Sequence, residues 1–215
     1  MKTMLFTAVA AIALSVAISP AALAEAGDWQ FRLRAITVQP DEGADISAIG
    51  GDVDIDTSLV PEFDITYFFS DNLAAELILG VTPHDVTAIN TALGDVDLGD
   101  VTLLPPTLTV QYHFNPDGQV RPYIGAGVNY TLFFNEDLPQ GTALDSIDYD
   151  PSLGLALQAG VDYALNERWF LNVDVKKVWI NTDVTIDGTT NLGAVVDADV
   201  DINPVIFGVG VGWRY

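Results

Sequence analysis

Residues 121–134 read RPYIGAGVNYTLFF and alternate in character from one position to the next. Ile124, Ala126, Val128, Tyr130, Leu132 and Phe134 share one parity, while Gly125, Gly127, Asn129 and Thr131 share the other. A β-strand sends successive side chains to opposite faces, so this strand has one continuously apolar face and one small or neutral polar face. A soluble sheet would carry Lys, Glu and other solvated side chains opposite its core. Glycine and neutral polar residues suit instead the confined lumen of a closed barrel whose outside meets lipid.

Seven other segments follow the same rule. Residues 27–38 set Trp29, Phe31, Leu33 and Ala35 against Gln30, Arg32 and Arg34, and residues 59–69 set Phe63, Ile65, Tyr67 and Phe69 against Glu62, Asp64 and Thr66. Residues 73–82, 101–114, 152–165, 168–180 and 202–215 alternate likewise, with turn signals at Ser70-Asp71-Asn72, Asn115-Pro116-Asp117-Gly118 and Asn166-Glu167. The fold expected is all-β, an eight-stranded antiparallel up-and-down transmembrane β-barrel. A lipocalin-like calyx also has eight strands, but it turns apolar residues inward and charges outward, the inverse of this pattern. Aromatic residues near the strand ends would form interfacial girdles.

Ahead of the strands, Lys2, an apolar run from Met4 to about Ile18, Pro20 and the Ala22-Leu23-Ala24 triplet read as a signal peptide over residues 1–24, leaving a barrel domain over 25–215. That places the barrel in the outer membrane of a Gram-negative bacterium. Cysteine is absent, which excludes disulfides and thiol chemistry. The chain has 8 basic and 30 acidic residues, and a formal charge of −22 excludes nucleic acid as a partner. Three connections are short and are expected at the periplasmic side. Four are long, residues 39–58, 83–100, 135–151 and 181–201, and are expected as outer loops. The long ones hold 20 of the 30 acids and no Lys or Arg, as solubility requires. Alternating aspartates at Asp52, Asp54 and Asp56, at Asp95 and Asp97, or at Asp197, Asp199 and Asp201 offer oxygens suited to calcium. They lack the glycine and distal glutamate of an EF-hand loop, so diffuse attraction of divalent ions is expected and no specific metal site.

Inward parity collects charge. Arg32, Arg34, Arg168, Lys176 and Arg214 take it, as do Glu62, Asp64, Glu76, Asp162 and Asp174, mostly toward the periplasmic end. Ile36, Ile78, Leu103 and Phe133 point inward nearer the outer mouth. An ionic network below and an apolar vestibule above would follow. The glycines at 125, 127, 154, 160, 208, 210 and 212 either make space for a solute or let bulky neighbours pack. No cofactor motif is present. Catalysis is not expected, because the histidines, His84 in an outer loop and His113 near the periplasmic end, cannot share a site.

The segments PEFDITYFFSDNLAAEL (61–77), LLPPTLTVQYHFNPDGQVRPYIGAGVNYTLFF (103–134), SLGLALQAGVDYALNERWFLNVDVKK (152–177) and INPVIFGVGVGWRY (202–215) resemble, in this order, the outer membrane protein W (OmpW) family. The resemblance implies an outer-membrane barrel, apolar in its upper lumen, that passes small hydrophobic molecules with a lateral exit through the wall into the bilayer. Pro105 and Pro106 occupy the family's LPP position, and a residue that cannot donate to the ladder weakens pairing where a side opening is needed. Where the family carries a proline, an aromatic and then a histidine, this chain has Thr82, Pro83 and His84, so the mouth lining differs. Implied partners are outer-membrane lipids and lipopolysaccharide, small hydrophobic solutes and, through the strand ending on Tyr215, the barrel-assembly machinery. The alternative is a filled structural or adhesive barrel acting through its acidic outer segments.

Overall fold

The structure, a computed structural model, describes residues 26–47 and 49–215. The signal peptide expected over residues 1–24 lies outside them. In chain order the strands are β1 (Trp29–Gln39), β2 (Gly43–Ile46), β3 (Asp52–Ile55), β4 (Ser58–Phe68), β5 (Leu73–Gly80), β6 (Thr82–Thr91), β7 (Gly94–Leu104) and β8 (Thr107–His113). They continue with β9 (Val120–Asp137), β10 (Ser146–Tyr149), β11 (Ser152–Ala164), β12 (Trp169–Val178), β13 (Asn181–Asp187), β14 (Val195–Asp201) and β15 (Val205–Arg214). Eight of them form the barrel in the order β11-β12-β15-β1-β4-β5-β8-β9, closed by antiparallel pairing of β9 with β11. First and last strands are neighbours, with Phe31 opposite Trp213 and Leu33 opposite Val211. Closure leaves no free sheet edge, the condition for strands to cross a bilayer.

The outer surface identifies its solvent. Leu153, Leu155, Val173 and Val209 are 75%, 63%, 60% and 59% exposed. Each such side chain left in water forgoes about 1.5–3 kcal/mol, and a belt of them around every barrel strand is tolerable only in lipid. From Trp29 to Gln39, β1 rises roughly 33 Å at about 3.3 Å per residue, and a tilt of about 40° reduces this to roughly 25 Å, the height of an apolar barrel band. At the lower edge Trp29 packs at a tilt against Tyr67 (centroids 4.9 Å apart) and Trp169 against Trp213 (6.0 Å), a girdle at the interface.

The four long connections expected as loops are instead largely strand. β6 and β7 form a hairpin on which β3 packs, β7 pairs with the upper part of β9, and β10, β13, β14 and β2 make a second, four-stranded sheet. Together they continue the wall upward past the membrane band. Along this continuation the polarity of the two faces exchanges. Val53, Ile55, Val86, Ala88, Ala198 and Val200 are buried inside, while Asp52, Asp54, Asp85, Asp197, Asp199 and Asp201 alternate with them on the outer face. Apolar-in, acid-out is the pattern of a sheet in water. The apolar core therefore lies high in the molecule, joining Ile36 and Val38 of the barrel to Val86, Leu103, Ile180 and Val200. One further departure concerns residues 101–114, expected as a single strand: Pro105 and Pro106 divide it into the end of β7 and β8.

Candidate functional site

The lower lumen is filled by charge. Arg32 Nη1 lies 2.7 Å from Glu76 Oε1 and 3.1 Å from Asp64 Oδ1, and its Nη2 lies 3.0 Å from Asp162 Oδ2. Arg34 reaches Glu62 (2.8 Å), Asp64 (2.8 Å), Glu76 (3.1 Å) and Asp174 (3.4 Å), and Lys176 bridges Glu62 (2.7 Å) and Asp174 (2.9 Å). Gln111, Gln158 and Tyr123 donate to Glu76 and Asp174, which gives these carboxylates further partners. Arg214 joins through Gln30, which accepts from its Nη2 at 2.9 Å and itself donates to Asp162. Buried charges are tolerable only when paired and hydrogen-bonded, and here the ion pairs interlock across five barrel strands while hydrogen bonds tie in the other three.

One expectation about this region changes. Arg168 is exposed, because β12 begins only at Trp169 and Asn166 Oδ1 accepts from the Arg168 N–H (2.9 Å) in the preceding turn. Arg121, which parity did not single out, is a further buried arginine at this end, 3% exposed. For two of the seven inward glycines the alternatives are decided here. A Cβ at Gly160 would collide with the Tyr123 ring and one at Gly212 with the Phe170 ring. Both rings pack on the Arg32 guanidinium, at 5.1 and 5.6 Å. These two glycines make room for side chains.

Above the network lie two apolar cavities of about 30 Å³ each. The lower is lined by Ile36, Ile78, Leu103, Val178 and Ile206, over a polar floor that includes Glu62 and Lys176. The upper is lined by Leu103, Phe133, Val86, Leu98 and Val200, with Phe133 stacked on Tyr149 (5.4 Å). His84, Leu103 and Ile202 border both and form the divide between them. Each volume holds roughly two waters, so an apolar solute of several carbons enters only by displacing side chains. His84, expected in a loop, sits on β6 with 4% exposure, whereas His113 packs against Phe68 and Tyr123 in the lower lumen.

Beside the lower cavity the wall is interrupted. The β5–β8 ladder ends at Ile78 opposite Thr107, and the β6–β7 ladder resumes in the same register at Thr82 opposite Leu103. Between these ends Leu79, Gly80 and Val81 face Leu104, Pro105 and Pro106 without ladder pairing. The far edge of this segment is intact, since the Tyr130 N–H donates to the Pro106 carbonyl (3.0 Å). The Pro105 carbonyl accepts instead from Asn129 Nδ2 (3.1 Å) and Thr107 Oγ1 (3.0 Å), which satisfies it without β5. A second ladder, β4–β5, stops at Glu62 opposite Gly80. On the lipid side an open groove of about 400 Å³ lies over the same place, lined by Leu33, Pro61, Phe63, Leu79, Val81 and Leu104 together with Glu62 and Gly80. Glu62 and Gly80 also line the lower cavity. Sequence reasoning singled out Pro105 and Pro106 but not Pro61, Gly80 or Val81 across from them, because only the register brings these together.

The OmpW family model matches residues 25–215. An uncharacterized outer-membrane protein, y4mB of Sinorhizobium fredii, is 43% identical over 188 residues, covering 87% of this chain and 80% of that protein. The dibenzothiophene metabolism operon protein PahQ of Pseudomonas aeruginosa is 31% identical over 199 residues, covering 89% and 90%. The crystal structure of the outer membrane protein OprG from Pseudomonas aeruginosa superimposes with a TM-score of 0.84 at 33% identity, covering 92% of this chain and 99% of OprG. The closed eight-stranded barrel, its lipid-facing belt and these likenesses agree: the chain belongs to the OmpW family of Gram-negative outer-membrane β-barrels.

Proposed function

We propose that this barrel passes small hydrophobic molecules, which enter the upper lumen from outside and leave sideways into the bilayer at the break beside Pro105 and Pro106. One observation carries the reading. The lower apolar cavity and the lipid-facing groove share Gly80 and Glu62 at the place where the β5–β8 ladder is missing. Below that level the interlocked ions close the lumen to an apolar solute, which leaves the side as the route of lower energy. Ile36, Ile78, Leu103 and Phe133 form the lining of the route, and Arg32, Arg34, Asp64, Glu76, Asp162, Asp174, Lys176 and Arg214 form its floor. Dibenzothiophene is an apolar aromatic compound, so the name of one relative agrees with such a cargo. By the same reading the outer belt meets lipid and lipopolysaccharide, and β15 is the strand presented to the barrel-assembly machinery.

Cysteines placed on either side of the gap, Val81→Cys with Leu104→Cys, test the route in a chain with no cysteine of its own. Oxidation should abolish protein-dependent uptake of an alkane by whole cells, and a reductant should restore it. Uptake that persists in the fully cross-linked protein excludes the side exit. The small size of both cavities favours a second reading, a filled barrel acting structurally or adhesively through its acidic outer strands. That reading gains if the protein confers no uptake at all, cross-linked or not.

A further inference from the structure

His84 is out of keeping with its surroundings. It lies at the divide between two cavities that are otherwise walled there by Leu103 and Ile202, and it is 4% exposed. Its Nδ1 is 2.7 Å from the backbone carbonyl of Asp56. A carbonyl only accepts, so Nδ1 carries the proton and the neutral ring has its lone pair on Nε2. Nε2, on the far side of the ring from that bond, has no hydrogen-bond partner among the described residues. His84 belongs to β6, above the membrane band, and burial lowers its pKa below the ordinary histidine value, which favours the neutral ring at physiological pH.

We propose that His84 is a selectivity element of this lumen, offering Nε2 as a single hydrogen-bond acceptor between the two chambers. It favours small apolar molecules that carry one donor, an aliphatic alcohol or a phenol, over the parent hydrocarbon. The inference rests on the passage of apolar solutes proposed above and names which of them pass best. A hydrocarbon moving through the divide strips water from Nε2 and gives nothing back, whereas a hydroxyl group replaces the lost bond. A carboxylate brings no donor and meets the lone pair unfavourably, so ionised acids are excluded. Leu103 and Ile202 contribute no competing polar group at the divide, and the side chains of Asp56 and Asp85, the acids whose charges act on the ring, are exposed. The hydrogen bond to Asp56 also fixes the ring, so the acceptor is held in place before a solute arrives.

The test compares protein-dependent uptake of labelled 1-octanol and n-octane by cells producing the natural chain, His84→Phe or His84→Gln, with rates from cells lacking the protein subtracted. Heat-dependent gel mobility verifies that each variant forms the barrel. The ratio of octanol to octane uptake should fall about fivefold in His84→Phe, the value of one neutral hydrogen bond of about 1 kcal/mol. It should be largely retained in His84→Gln, whose amide oxygen still accepts. An unchanged ratio in His84→Phe, with both solutes still entering, overturns the role of His84 and leaves the passage standing. Absence of protein-dependent uptake of either solute overturns both together.

Discussion

Arg32 and Glu76 meet at 2.7 Å, Nη1 to Oε1, with neither side chain exposed to solvent. The same guanidinium holds Asp64 and Asp162, so one cation serves three carboxylates. Arg32→Met leaves these acids buried without their shared partner and should lower stability by about 3–5 kcal/mol. Glu76→Gln keeps a hydrogen-bonding shape and removes one negative charge from an acid-rich cluster. It should cost less, about 1–3 kcal/mol. Urea unfolding of the lipid-refolded variants, followed by tryptophan fluorescence, checks the order.

The exchange of polarity between membrane band and outer extension predicts opposite tolerances on one continuous outer face. Leu157→Lys, near the middle of β11, should destabilise by about 2–4 kcal/mol, since it puts a cation into hydrocarbon. Asp199→Lys on β14 should change stability by about 0.5 kcal/mol or less. Folding yield into vesicles and unfolding midpoints distinguish the two.

Restoring donors at the break should knit the ladder. Pro105→Thr with Pro106→Val removes both prolines; the N–H returned at 105 faces β5, on the edge of the Pro105 carbonyl, and a bond formed there is worth about 1 kcal/mol. Amide exchange at Leu79, Gly80 and Val81 should slow, and alkane uptake should fall with it. Slower exchange with unchanged uptake would separate the break from transport.

Asp85 and Asp100 stand directly opposite each other on β6 and β7. A hydrogen bond with Asp100, and then its charge, raise the Asp85 carboxyl above the usual aspartate value. The folded state therefore binds this proton more tightly than the unfolded chain. Stability falls as pH rises from about 3.9 through the raised value and is level above it. Asp100→Asn should remove that slope in thermal melts of the purified protein. Because Asp85 is exposed, the effect should shrink with added salt.

The barrel was legible because lipid, lumen and strand geometry all act at a period of two. Leu153 to Tyr163 against Gly154 to Asp162 says which face is outside without any knowledge of partners. The inward parity of Arg32, Arg34, Glu62, Asp64, Glu76, Asp162, Asp174, Lys176 and Arg214 was readable for the same reason, whereas Arg168 was placed inward and lies exposed. The pairing of these ions was not readable, because Arg32 and Asp162 are brought together only by closure of the sheet. The outer strands were missed although DVDI (52–55) and VVDADVD (195–201) alternate plainly. The lipid rule reads their outward acids as loop, whereas in water outward acids are what a strand carries. The break in the wall stayed half hidden because proline marks one lip, and Gly80 and Val81 on the other carry no distinguishing signal. His84 was lost with the outer strands, since its inward parity has meaning only once β6 is a strand.

The acid-studded outer hairpins also bear on how the molecule comes to stand where it does. Each of the long connections carries four to six acids to the far side of the bilayer. Drawing an aspartate through the hydrocarbon centre costs about 2.5–3.5 kcal/mol, so one connection faces a barrier on the order of 10–20 kcal/mol if it goes through lipid alone. Spontaneous threading is correspondingly slow, and a hydrated passage past the lipid is the way across. The same barrier works in reverse after arrival: the hairpins act as a ratchet, and the inserted barrel does not slip back toward the side from which it came.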